Sequence, residues 1–226
     1  MNDRLTKHDL KDDVLVTQTA RTADFMTHHA RSIIGAAAVV LVIVVAVTFM
    51  RTSALRSEDR AAGLLSEATV EYATGNYAAA SVRLDDLFRS AGGTSSAKRA
   101  VLLQGDVQYA QGAYQQASET FEKALKDFAK DPVMSVTARQ GLAASLENLG
   151  QNGRAAELYA ELADSAPNRV LKAEYQLSQA RNLMLSGRAG EAMPILEAVS
   201  TSRDNPRAAQ TAKLRLAEAR LVGTAG

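Results

Sequence analysis

The apolar positions fall into two regimes. Residues 33–50 read IIGAAAVVLVIVVAVTFM, eighteen residues without a charge, bounded by Arg31 and Arg51. Extended by its flanks, a helix of that length rises about 1.5 Å per residue and just crosses a hydrocarbon layer of about 30 Å. β-Branched Val and Ile throughout, with no polar face, argue against a buried helix of a soluble protein. A cleaved signal peptide fits poorly, because the run begins late, exceeds a usual apolar signal core and is followed by no small-x-small cleavage site. The pattern therefore predicts a tail over residues 1–31, a transmembrane helix over 32–51 and a soluble domain over 52–226.

In the second regime the chain repeats. GNYAAA at 75–80 is echoed by GAYQQA at 112–117, GQNGRA at 150–155 and GRAGEA at 187–192. The leading glycines, Gly75, Gly112, Gly150 and Gly187, lie 37, 38 and 37 residues apart. Each follows about a dozen helix-forming residues and precedes another helical stretch, so it reads as the C-cap at which the chain turns back. The unit is a helical hairpin. A small residue stands five positions after each glycine (Ala80, Ala117, Ala155, Ala192) and a large one four later (Leu84, Phe121, Tyr159, Leu196). Small residues also recur seven positions before it, at Ala68, Gly105, Ala143 and Ala180. Small positions let helices approach, and the large one fills the groove that results.

These positions resemble those of a tetratricopeptide repeat, most closely in residues 105–132, GDVQYAQGAYQQASETFEKALKDFAKDP. The resemblance covers about residues 61–204, with repeats over 61–94, 98–132, 136–167 and 173–204 and a capping helix over 207–221. It implies an all-α solenoid of about four hairpins, with Pro132, Pro167 and Pro206 closing the second to fourth. The period exceeds the usual length of about 34. In the first copy Glu71 stands where an apolar residue is expected. Alternating Arg and Glu in the last helix suit the polar outer face of a terminal cap.

Composition narrows the function. Lys and Arg number 26 against 25 Asp and Glu, which leaves no basic footprint for DNA or RNA. There is no cysteine, and the three histidines, His8, His28 and His29, all precede the apolar run. The soluble part thus lacks the usual general base, soft metal ligand and best nucleophile, which excludes most enzyme chemistry. Asp85, Asp86 and Glu161 read as solvated helix faces, and Gly92-Gly93 as a turn rather than a phosphate loop. Adjacent His28 and His29 point about 100° apart on a helix and make a poor metal site. No cofactor, metal or small-molecule substrate is expected.

In such a solenoid the first helix of each hairpin lines the concave side, where extended peptides or partner helices lie. The glycine register places Leu65, Thr69 and Tyr72 there, then Arg99, Leu102, Asp106 and Tyr109, then Gln140, Glu147 and Asn148, then Arg181 and Met184. Tyr72 and Tyr109 fit packing within the repeat as well as binding. The face lacks the regular Lys and Asn pattern that clamps a C-terminal carboxylate. Ser32, Gly35 and Ala36 form a small-residue face on the membrane helix, which suits helix contact or ordinary composition.

The layout of tail, single span and repeats resembles the ancillary subunits of the bacterial Sec translocon. Residues 20–26 and 28–31, an amphipathic lead-in to the span, add to the likeness. The resemblance implies a single-pass inner-membrane protein with a cytoplasmic N-terminus and a periplasmic repeat domain. Its partners would be an integral membrane complex and periplasmic proteins, its work secretion or envelope assembly. Arginines and lysines over the whole tail favour that orientation, whereas a count within twenty residues of the span reverses it. The second expectation is a structural accessory subunit of a large respiratory or photosynthetic complex.

Overall fold

The computed structural model describes residues 30–223, all helices and short turns; the predicted lead-in, His8, His28 and His29 lie outside the described residues. The helices are α1 (Ala30–Ala73), α2 (Tyr77–Ala91), α3 (Ser95–Ala110), α4 (Tyr114–Asp127), α5 (Pro132–Asn148), α6 (Asn152–Asp164), α7 (Arg169–Leu185), α8 (Ala189–Ser200) and α9 (Pro206–Gly223). The chain divides into two units, Met1–Arg56 and Ser57–Gly226.

In the first unit the apolar stretch of α1 packs against none of the described residues. Its most apolar eighteen-residue window has a mean hydropathy of 2.5, and none of it is buried. The hydroxyls of Thr48 and Thr52 donate to carbonyls of their own helix, Val44 and Thr48, each at 2.9 Å. These two hydroxyls are thereby satisfied within the helix.

The second unit is a tetratricopeptide-like solenoid. Its hairpins pair the end of α1 with α2, α3 with α4, α5 with α6 and α7 with α8, and α9 packs on α7 and α8. Every hairpin turns at a glycine with positive φ: Gly75 (80°), Gly112 (78°), Gly150 (71°) and Gly187 (79°). At the second turn Gly112 N–H donates to the Tyr109 carbonyl at 3.0 Å and Ala113 N–H to the Gln108 carbonyl at 2.9 Å. This paired pattern is the Schellman termination, and the other three turns repeat it. A side chain at this backbone angle costs about 1–2 kcal/mol, which is why glycine stands there.

A second periodic device starts the first helix of each later hairpin and the final helix. Thr94, Asp131, Asn168 and Asn205 accept, through their side chains, a backbone N–H of α3, α5, α7 and α9. Such caps contribute about 1 kcal/mol each. They correct the reading of the prolines. Pro132 and Pro206 are the first residues of α5 and α9, and Pro167 precedes the Asn168 cap, so they open the following helix instead of closing the preceding repeat. The missing N–H of proline costs nothing at that position. Glu71, the anomaly of the first copy, accepts from the Asn76 amide at 2.9 Å and so serves the turn.

The small positions sit at the crossings. Ala68, Ala143, Ala180, Ala80, Ala117, Ala155 and Ala192 are all fully buried, and Gly105 is buried beside them. Leu84, Phe121 and Leu196 fill the intervening space, each no more than 1% exposed. Phe121 is wedged between two glycines. A methyl group added at Gly105 would lie 2.6 Å from the Phe121 ring, and one at Gly141 on α5 would meet the same ring as closely. The ends of the stack differ from its middle. Val70 is 60% exposed, whereas Val107, Ser145 and Asn182 at equivalent positions are covered by the preceding hairpin. On α9, Leu214 is exposed among the charged residues of the outer face.

These contacts rank substitutions. Phe121→Ala is expected to cost about 3–5 kcal/mol through the cavity it leaves. Gly141→Ala should cost about 1–3 kcal/mol by overpacking. Gly153→Ala, where a methyl group meets nothing, leaves stability unchanged or slightly raised. Urea unfolding of the full-length protein in detergent, followed by far-UV circular dichroism, checks this order; equal losses at Gly141 and Gly153 would contradict the wedge.

Candidate functional site

The first helices of the hairpins, the last part of α1 with α3, α5 and α7, lie side by side as one layer. Hydrogen bonds run from each to the next. Asn148 Nδ2 on α5 donates to the Tyr109 hydroxyl on α3 at 2.9 Å. Gln140 on α5 donates through its amide to the Tyr175 hydroxyl on α7. Arg181 Nη2 on α7 approaches the Glu147 carboxylate to 2.7 Å, and Asn182 Nδ2 donates to the same carboxylate at 3.0 Å. Charge-assisted bonds of this kind are the stronger ones, and partial burial protects them from screening. Tyr159 of α6 stands beside Glu147; its hydroxyl is pushed up to about 12, first by burial and then by the neighbouring carboxylate.

The predicted concave residues therefore separate into groups. Tyr109, Gln140, Glu147, Asn148 and Arg181 are joined across the repeats as described. Tyr72 and Tyr109 stack on Tyr77 and Tyr114 of their own hairpins, with ring centroids 5.6 and 5.3 Å apart. Leu65 packs on the first hairpin's core and Met184 on the last. Thr69 bonds back to the Leu65 carbonyl at 2.8 Å. Leu102 is 7% exposed and packs among Ala117, Phe121 and Leu142, so it is core and leaves the set of surface candidates. Ser32, Gly35 and Ala36 are exposed on α1.

Two charged candidates remain. Arg99 donates to Ser96 Oγ at 3.2 Å. Ser96 in turn is bound by Glu58, whose carboxylate accepts from Ser95 N–H (2.8 Å), Ser96 N–H (2.9 Å) and Ser96 Oγ (2.7 Å). A carboxylate of α1 thus caps the start of α3, and those bonds hold Glu58 below the usual carboxylate range. Asp106 is the opposite case. It is half-buried, no described residue forms a hydrogen bond or ion pair with its carboxylate, and burial alone pushes it up to about 6. Across the α1–α3 boundary the Tyr72 hydroxyl is pushed above its usual range, first by burial and then by the Asp106 charge.

Sequence reading missed Tyr175, Asn182 and Glu58, and took Tyr159 for packing alone. Only Asn182 left a signal: a polar residue at a position that is Val in the first two copies and Ser in the third. An open cleft of about 610 Å³ between α2, α3 and α4, lined by Phe88, Val101, Gln104, Gln108, Thr120 and Lys123, contains none of the twelve candidates. Among the described residues no group of three or more acids, histidines or cysteines is placed to hold a metal ion.

A stack of helical hairpins with a polar first-helix layer defines a repeat protein of the kind that binds other proteins. The tetratricopeptide repeat-like domain model matches residues 23–156, well over half of the sequence, and the chain belongs to that family. Two solved structures share the fold: the nearly identical TPR-like repeats of a Podosopora anserina protein described as a kinesin light chain, and a variant of it. Their identities are 20% and 21%, each with a TM-score of 0.62, covering 74% of this chain and 88% of that chain. At this identity the likeness speaks for the fold alone. No curated protein matches the sequence.

Asp106 yields a pH-dependent test. With its acid group raised from 3.8 to about 6, the folded state holds a proton that the unfolded chain releases, so this residue lowers stability as pH rises between those values. Asp106→Asn is therefore expected to stabilise the protein by about 1–2 kcal/mol at pH 8 and to be near neutral at pH 4. Chemical unfolding of both proteins at the two pH values measures the difference; a destabilised variant at pH 8 would contradict the assignment.

Proposed function

We propose that this chain is a non-enzymatic, membrane-anchored adaptor that holds proteins beside an inner-membrane complex during secretion or envelope assembly. The observation that carries the reading is the apolar run of α1, wholly exposed and directly ahead of a protein-binding solenoid. Water would not tolerate Val39, Val40, Leu41, Val42 and Ile43 each more than half exposed on one helix, and a lipid surrounding would. The family match begins at residue 23, ahead of this run, so the apolar helix falls within the matched layout. In this reading the tail is cytoplasmic and the repeats are periplasmic. The partners are membrane-complex subunits and periplasmic folding factors.

The natural absence of cysteine makes topology directly measurable. Single variants Thr6→Cys and Ala129→Cys, expressed in bacterial cells and treated with a membrane-impermeant maleimide after opening the outer membrane, should label only at Ala129→Cys. Labelling at Thr6→Cys instead would invert the topology and remove the periplasmic role. Affinity capture of the full-length protein from native membranes should recover translocon subunits and periplasmic chaperones. Stoichiometric recovery of a respiratory or photosynthetic complex would replace the adaptor with a structural accessory subunit.

A further inference from the structure

We propose that the first-helix layer receives a basic side chain, lysine or arginine, of an extended partner peptide at the Asp106 carboxylate. The proposal rests on the reading that partners lie along this layer and assigns the chemistry at one point of it. Most other side-chain hydrogen-bonding groups of the layer are already engaged. Tyr109 with Asn148, Gln140 with Tyr175, and Glu147 with Arg181 and Asn182 bond one another between repeats, while Arg181 Nε and Asn182 Oδ1 find no acceptor or donor among the described residues. Arg99 lies two helical turns from Asp106, about 10 Å along α3, and is engaged with Ser96. Asp106 is partly buried on this layer, and no side chain of the described residues forms a hydrogen bond or ion pair with its carboxylate.

A carboxylate in that position is costly unless something compensates it, and a cation is what compensates it best. Its surroundings suit the same ligand. Tyr72 stands across the boundary with α1, and Tyr109 follows one turn along α3 on the same face. Each ring is fixed by a stacked tyrosine of its own hairpin, so ordering them costs a partner little. Tyrosine faces attract ammonium and guanidinium groups, whereas an anionic ligand would be repelled by the carboxylate. A neutral hydrogen-bonding partner would be served as well by asparagine, without the burial cost. Peptides whose central residue is basic are thus the class that this part of the face fits.

A positional-scanning library of capped heptapeptides, probed with the full-length protein in mild detergent, tests the assignment. Lysine or arginine should be enriched about tenfold over alanine at one position, a preference that Asp106→Asn abolishes and Asp106→Glu partly retains. Circular dichroism melting of Asp106→Asn shows whether it remains folded; should it not, Tyr72→Leu, which removes the aromatic face and should lower the basic preference, and added salt supply the second readout. Raising salt from 50 to 300 mM should weaken the basic preference while leaving the aliphatic positions unchanged. A basic preference that survives in Asp106→Asn, or a preference for acidic or aliphatic residues at that position, overturns the assignment while leaving the groove. Failure of every peptide to bind overturns the groove reading itself, and the proposal with it.

Discussion

Closely crossing helices set the terms for everything else in this solenoid. Wherever two helices cross, one of them carries a side chain no larger than a methyl group, and at Gly105 and Gly141 nothing at all. Large apolar side chains fill the space between the crossings: Leu84 and Leu87 in the first hairpin, Phe121 in the second, Leu146 and Leu162 in the third, Leu196 in the fourth. The consequence reaches the presumptive binding layer. Only because α3, α5 and α7 are drawn together can side chains as short as Asn148 and Asn182 bridge neighbouring repeats. Packing at the crossings and hydrogen bonding along the first-helix layer are thus one constraint seen at two radii.

The turns make the same geometry cheap to reach. A left-handed glycine ends each first helix, and a capping Thr, Asp or Asn begins the next hairpin, so both ends of the unit are fixed by local chemistry before any tertiary contact forms. Agreement between local signals and the packed arrangement is what allows a repeat array to settle into a single register. The first hairpin departs from this rule. Its first helix continues from the apolar run without a cap, and Glu58 instead offers its carboxylate to the start of α3. A residue of the first helix thereby adds to the Thr94 cap of the second repeat, where Asp131 caps the third by itself.

How much of this could be read from the sequence follows from the distances involved. The glycine period fixed the hairpins, because a positive φ is a demand on one residue and leaves a visible mark. The capping period of Thr94, Asp131, Asn168 and Asn205 was equally regular, yet its varied residue types concealed it, and the prolines beside the caps were read as ends when they are beginnings. The concave residues came from register alone. Register names a helix face but not whether a side chain on it is spent, as Glu147 is on Arg181, or buried, as Leu102 is. Pairings 34 to 39 residues apart have no signature in a single sequence.

Stability and binding pull in different directions along this layer. Where Glu147 meets Arg181 and Asn182, a charge is compensated internally, and a partner would have to displace bonds already made before gaining any of its own. Asp106 is uncompensated, so a cation arriving there replaces a desolvation cost instead of a bond. On the proposed reading, the same carboxyl that weakens the free protein is the group from which a partner would gain most. In that reading Asp106 with Tyr72 and Tyr109 would carry recognition in the first two hairpins, while the bonds of Glu147 with Arg181 and Asn182 hold the last two in shape.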